Sequence, residues 1–389
     1  MALLQYKDRK GTNSAKWDIL ASKFGKADLL SMWVADMDFK EPPCVTAALR
    51  RYVEEVPFGY YVPSASYFQA FIDWEQTYHN YKVAPEWICF APGVVPAINW
   101  VIQFATQPGD AVIVLTPVYY PFLESVQNNQ RKLVQCDLVR DGMVYSIDYE
   151  KFEQAIVQNQ AKLFIMSSPH NPVGRVWRPE ELRPLMEICR KHHVLVISDE
   201  IHHDFVYPGH THYPTASLGD YDEFLITMTA PSKTFNLAAL QNSLVIIPNP
   251  ALRKKYLACL INLRFNSGNA FGYIAAEAAY REGRPWLEEL LDHIYRNYLY
   301  FRDVMEQHGP DIGVAPLEGT YLLWLDFSSR LQTHEEMVDF AQNKCGLAPD
   351  YGYWFGGAQF SPFMRLNLAT SRQNVETAAK AIIQALKGC

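Results

Sequence analysis

Apolar residues in this chain fall into short unbroken runs, separated by segments in which they recur every three or four positions. Asp110-Ala-Val-Ile-Val-Leu-Thr116, Leu163-Phe-Ile-Met-Ser-Ser168, Val194-Leu-Val-Ile-Ser198, Phe224-Leu-Ile-Thr-Met-Thr229 and Ser243-Leu-Val-Ile-Ile247 are such runs, with Trp87-Ile-Cys-Phe-Ala91 and 132–138 as further candidates. Runs of this length without polar alternation predict strands buried on both faces. Between them, 96–106, 121–130, 149–159 and 179–192 carry helical spacing. In the last of these, Leu182, Leu185, Met186 and Cys189 share a face opposite the charged residues. Continuous apolar strands alternating with amphipathic helices predict an α/β fold with a mainly parallel central sheet covered on both sides. After Pro285 the texture changes: a long helical segment, 286–308, leads into a strand at 321–327 and then shorter elements. The pattern therefore predicts a large domain over 44–284. A smaller α+β domain is expected over 285–389, with the amino-terminal stretch 1–43 packed on it.

Composition narrows the class. At 389 residues the chain exceeds one small core and suits two domains. Hydrophobic residues are 49% and charged residues 20%, ordinary for a globular protein. The 14% aromatic share suits a large core, an interface or a pocket for a planar ligand equally well. A net charge of −7 with no Lys/Arg block gives nucleic acid or an anionic membrane surface no electrostatic support. Seven scattered cysteines (44, 89, 136, 189, 259, 345 and 389) contain no CxxC pair, so neither a disulfide framework nor a zinc knuckle is indicated. The first ten residues turn charged after Leu4, and no segment has transmembrane length, so a cytoplasmic protein is expected.

Ligands of open α/β sheets sit outside the carboxyl ends of the strands, so those ends are where chemistry is sought. Reading them in order gives Pro92-Gly93-Val94-Val95 entering a helix, then Tyr119 and Tyr120, then His170-Asn171, then Asp199, then Ser232-Lys233. Singly, each has a plainer reading: Asp199 as a strand-end carboxylate, Asn171 and Gly93 as turn residues, Tyr119 as a core aromatic, Lys233 as a solvated lysine. Together they supply what pyridoxal phosphate requires. Lys233 offers an amine that burial would leave nucleophilic, and Asp199 a carboxylate to keep the pyridine nitrogen protonated. Asn171 is a donor for the phenolic oxygen and Tyr119 a ring to stack on. Gly93, Val94 and Val95 place helix-terminal N–H groups for the phosphate, to which Ser232 adds a hydroxyl. Histidines 202, 203, 210 and 212 form no HExxH, and no metal is expected.

Four motifs, Ser-Pro-His-Asn-Pro-Val-Gly (168–174), Ser-Asp-Glu-Ile-His-His-Asp (198–204), Ser-Lys-Thr-Phe-Asn (232–236) and Arg365-Leu-Asn-Leu-Ala-Thr370, resemble the fold-type I pyridoxal-phosphate enzymes of the class I/II aminotransferase superfamily. Lys16-Trp-Asp18, Met32-Trp-Val-Ala-Asp-Met-Asp-Phe39, Phe58-Gly-Tyr60 and Gly319-Thr-Tyr-Leu-Leu-Trp-Leu325 are similar to its cystathionine β-lyase (C–S lyase) branch, of MalY/PatB type. The resemblance spans essentially the whole chain and implies roles by position. Lys233 is the Schiff-base lysine, Asp199 the pyridine-nitrogen partner and Asn171 the donor to the phenolic oxygen. Arg365 is the clamp for the substrate α-carboxylate, completed by Val34 and Ala35 through backbone and by Asn171. Tyr60 reaches the partner's cofactor phosphate across a homodimer interface, and 266–271 is a second candidate to cross it. Two positions depart from the aminotransferase pattern. Gln241 stands where many members keep a phosphate-binding arginine, and His202 where many keep a tyrosine; both agree with the lyase branch.

The resemblance implies α,β-elimination. Lys233 removes the α-proton of a cysteine S-conjugate such as cystathionine and, with help from Tyr120, protonates the departing sulfur. Pyruvate, ammonia and a thiol are the products. Transamination shares the first half of this chemistry and stands as the alternative. A mainly regulatory, partner-binding role is the third reading, with no added domain to support it. A nicotinamide dehydrogenase is disfavoured because no GxGxxG follows a strand.

Overall fold

In the computed structural model the described residues are 3–388; Met1, Ala2 and Cys389, at the two ends of the expected small domain, lie outside them. Seven strands build the central sheet: β1 Ile88–Ala91, β2 Ala111–Thr116, β3 Lys132–Asp137, β4 Leu163–Ser167, β5 Leu195–Asp199, β6 Leu225–Thr229 and β7 Ser243–Ile246. Their order across the sheet is β1-β7-β6-β5-β4-β2-β3. Strands β2 to β6 pair in parallel, whereas β7 runs antiparallel to both β6 and β1.

Strands β2, β4 and β6 are buried along their whole length. Successive side chains leave a strand on opposite faces. Ile113, Phe164 and Val196 join one apolar cluster with Leu182, Leu185, Met186 and Cys189 of helix Pro179–Lys191. Val112, Ile165 and Ile197 join another with Ala97, Ile98 and Val101 of helix Val94–Ala105. A sheet with no wet face needs strands that are apolar throughout, and burying each such side chain contributes roughly 1.5–3 kcal/mol.

A second sheet is antiparallel and has four strands: β8 Gly313–Val314, β9 Leu322–Asp326, β10 Asp350–Tyr351 and β11 Phe363–Asn367, in the order β8-β9-β11-β10. Helix Arg284–His308 leads into it and lies against helix Arg372–Leu386. The short strand Leu30–Ser31 pairs in parallel with Leu347–Ala348. Below it a fully buried ion pair ties Lys16 Nζ to Asp38 Oδ2 at 2.7 Å, and Trp17 Nε1 donates to Asp38 Oδ1 at 2.8 Å. Asn367, at the end of β11, donates to the carbonyls of Val34 and Asp36, both at 2.6 Å. These contacts tie the segment 33–37 to the second sheet. Among the described residues no helix is long and apolar enough to cross a membrane.

Two element boundaries bear on the site. The helix expected from Pro96 begins at Val94, with Gly93 as its N-cap. Proline is compatible with a first helical turn, where its missing N–H has no partner to lose. Strand β5 extends through Asp199, which is therefore fixed by the ladder and not carried on a loop.

Candidate active site

The carboxyl edges of β2, β4, β5 and β6 open onto one cavity, lined by Gly93, Val94, Val95, Tyr119, Asn171, Asp199, His202, Ser232 and Lys233. Lys233 lies in the short helix Pro231–Thr234 that follows β6. Its Nζ donates to the carbonyl of Ala35 at 2.6 Å. Burial lowers its pKa to about 8; Asp36 and Asp199 oppose that and Arg365 reinforces it. A substantial fraction of the amine is therefore neutral near pH 8, as a nucleophile or a base must be.

Asp199 is perturbed in the opposite sense. Burial pushes its carboxyl up to about 7, against the Ile201 N–H that it accepts at 3.1 Å and the charge of Lys233. A carboxylate held this dry is stabilised by any cation brought beside it. His202 is buried, its pKa is lowered by that burial and by Lys233 and Arg365, and its Nδ1 has no hydrogen-bond partner. Neutral His170 donates from Nε2 to the carbonyl of Pro117 at 2.8 Å, which joins the ends of β4 and β2; burial holds its pKa down at about 4. Asn171 accepts from Arg365 Nη1 at 2.8 Å, so its amide orientation is set by the guanidinium. Arg365 is buried on β11, its guanidinium carbon 5.0 Å from the Phe355 ring centroid.

At the opposite end of the cavity, Gly93, Val94 and Val95 open the helix Val94–Ala105, whose first N–H groups have no intrahelical acceptor. Ser232 lines the same cavity. This end of the cavity suits an anion. Asn242 and Ser243 also line it. A reading of carboxyl ends passes over both, because β7 runs antiparallel and brings its amino end to this edge. The apolar run of β7 gives no sign of its direction.

Some expected residues stand apart from the cavity wall. The Val34 carbonyl is taken by Asn367, and it is Trp33 whose carbonyl meets Arg365 Nη2, at 3.1 Å. Tyr120 packs on Trp354 and Phe355, and burial raises its phenol so that it stays protonated. Tyr60 is fully exposed, with exposed Phe58 and Val62 beside it. Gln241 is also exposed.

Further residues meet beside and behind this site. Asp350 on β10 pairs with Arg365, and Tyr321 Oη donates to the Ala35 carbonyl at 2.8 Å. Behind Lys233, Thr234 Oγ1 donates to Asp204 Oδ2 at 2.6 Å. Around Asp204 lie His79, at 2.9 Å, and His203, whose Nε2 is 3.2 Å from Glu75 Oε1. Burial alone would depress His203, but Asp204 and Glu75 outweigh it and raise its pKa to about 10. Donor atoms of Glu75, His79 and His203 lie within 4.8 Å of one another. Glu75 and His79 sit one helical turn apart in the sequence; their meeting with His203 depends on the tertiary fold.

The donor set fits pyridoxal 5′-phosphate. Buried Asp199 is a carboxylate that a protonated ring nitrogen would stabilise, the helix start offers N–H groups to a phosphate, and Lys233 offers its amine in the same cavity.

Comparison with known proteins agrees with this geometry. The family described as aminotransferase class I and II matches residues 28–382. The cystathionine β-lyase PatB of Bacillus subtilis is 40% identical over 382 residues, 97% of this chain and 98% of that protein. Protein MalY of Escherichia coli is 31% identical, over 98% of this chain and 97% of its own. The crystal structure of cystalysin from Treponema denticola, which contains pyridoxal 5′-phosphate, superposes with a TM-score of 0.95 at 35% identity, covering 99% of this chain and 98% of that one.

Proposed function

The chain belongs to the aminotransferase class I and II family, and on that footing we propose that it is a pyridoxal-phosphate-dependent carbon–sulfur β-lyase. Its substrate is L-cystathionine or a related cysteine S-conjugate, cleaved to pyruvate, ammonia and a thiol. The observation that carries this reading is full-length likeness to a cystathionine β-lyase, in a chain that lines one cavity with Lys233, Asp199 and Asn171 and holds Arg365 against Asn171. The fold is that of fold-type I pyridoxal-phosphate enzymes.

When bound, pyridoxal phosphate supplies an aldehyde for amines and a ring that withdraws the charge developing at the substrate α-carbon. The protein supplies the rest. Gly93, Val94, Val95 and Ser232 would hold the phosphate, and Tyr119 and His202 would hold the ring. Asp199 would keep a proton at the ring nitrogen, and Asn171 would donate to the phenolic oxygen. Arg365 would bind the α-carboxylate, with Asn171 and the backbone at Val34 and Ala35 closing the clamp. Lys233, its amine already partly neutral, takes the α-proton at Nζ. The ammonium so formed returns a proton to the departing sulfur, assisted by the phenol of Tyr120. The 2-aminoacrylate released adds water and loses ammonia to give pyruvate.

Two further assignments belong to this reading. The enzyme works as a homodimer in which Tyr60 of each subunit reaches the other's phosphate; its full exposure in the single chain supports that, and the segment 266–271 beside it shares the surface. Residues 44–284 form the cofactor-binding domain, and 1–43 with 285–389 the small domain, in keeping with the pairing of Leu30–Ser31 with Leu347–Ala348. Thiols at Cys44, Cys89, Cys136, Cys189 and Cys259 are free, which supports the cytoplasm as its compartment.

The test is incubation of purified holo-protein with L-cystathionine and a panel of S-substituted cysteines. Pyruvate and thiol in equal amounts are expected. Absence of both across the panel contradicts the proposal.

A further inference from the structure

Three of the five N–H donors of the Arg365 guanidinium are engaged before any substrate arrives. Its Nη1 donates to Asn171 Oδ1 at 2.8 Å. Its Nη2 has two hydrogens and two acceptors, the Trp33 carbonyl at 3.1 Å and Asp350 Oδ2. Its Nε, though buried, has no partner. A carboxylate meets a guanidinium two-pronged through Nη2 together with either Nε or Nη1. Both forks need a hydrogen of Nη2, and both Nη2 hydrogens are committed. Of the two acceptors, the Trp33 carbonyl belongs to a segment pinned by Asn367, whereas Asp350 is a side chain.

Asp350 is set into this place by the small sheet. It faces Arg365 directly across the β10–β11 ladder and is 1% exposed. Its Oδ1 has no partner. Burial pushes its carboxyl up to about 6 even with Arg365 alongside, and Lys23 also acts to hold it down.

We propose that Asp350 is a resident occupant of the Arg365 clamp, a carboxylate that holds the substrate's place and that the substrate α-carboxylate must displace. Binding is then an exchange of one carboxylate for another at Nη2, and Asp350 sets how tightly amino acids are held. This inference rests on the assignment of Arg365 as the carboxylate clamp.

The test separates binding from chemistry. 3-(Methylthio)propionate has the carboxylate and thioether of S-methylcysteine but no amine, so it occupies the clamp without reacting. Its affinity for holo-protein is measured by calorimetry in wild type, D350N, D350S and R365K. D350N is expected to bind it at least about fivefold tighter, because the competitor has lost its charge while the hydrogen-bond acceptor remains. D350S is expected to move the same way, which keeps the test open if one variant does not fold. For S-methyl-L-cysteine as substrate, KM is expected to fall more than kcat. Equal or weaker probe binding in the position-350 variants that retain cofactor absorbance overturns the proposal, leaving Asp350 as a prop for Arg365. Unchanged probe binding in R365K overturns the clamp and its occupant together. Tighter probe binding in D350N, in an enzyme that releases no thiol from any conjugate, upholds the occupant and refutes the lyase reading alone.

Discussion

At the residue scale, one physical cause acts on Lys233 and Asp199 in opposite directions. Burial disfavours each charged form, drawing the lysine down to about 8 and the aspartate up to about 7. A lone pair exists only on the unprotonated amine, so capture of cofactor by apo-protein should accelerate as pH rises toward 8 and level off above it. Stopped-flow absorbance over pH 6–9.5 checks this; a rate independent of pH contradicts the lowered pKa. Lys233→Ala should remove covalent cofactor attachment and nearly all turnover, read by mass spectrometry after borohydride reduction. Asp199→Asn removes the charge that keeps the ring nitrogen protonated. It should cost at least about two orders of magnitude in kcat, with cofactor still bound.

At the element scale, residues read from the strand ends line one cavity because parallel strands buried on both faces are conspicuous as apolar runs. Their carboxyl ends necessarily share an edge. Asn171, Asp199 and Lys233 were legible for that reason, and Arg365 only through motif resemblance. Asn242 and Ser243 were not, because an apolar strand gives no sign of its direction. Asp350 and Asn367 escaped for a different reason. Their importance lies in pairing with Arg365 and with the Val34 and Asp36 carbonyls, and a cross-strand or long-range partner leaves no local pattern. The amino-terminal segment depends on one such partnership, the buried Lys16–Asp38 pair. Lys16→Met leaves Asp38 charged, buried and unpaired, and should destabilise the protein by about 3–5 kcal/mol. Because the same segment presents Ala35 to the cavity, KM should rise as well. Adding Asp38→Asn should recover part of the loss, a coupling that thermal unfolding of the single and double variants measures.

At the scale of the whole molecule, the exposed row Phe58, Tyr60 and Val62 makes sense only if another surface covers it, and a second copy of the chain is the proposed cover. Mixing Lys233→Ala with Tyr60→Ala subunits tests this. In a heterodimer one site then has both its own lysine and the partner's tyrosine, so free exchange should restore about a quarter of native activity. No gain on mixing contradicts a shared site. Elimination, unlike transamination, needs no amino acceptor, so turnover without one separates the two. Holo-protein is given excess L-cystathionine and no keto acid, and the moles of thiol and keto product per active site are counted. The account predicts pyruvate and thiol in equal amounts, accumulating over many turnovers while the cofactor remains in its aldehyde-derived form. A single equivalent of keto acid per site with the thioether intact, followed by arrest, would instead identify a transaminase.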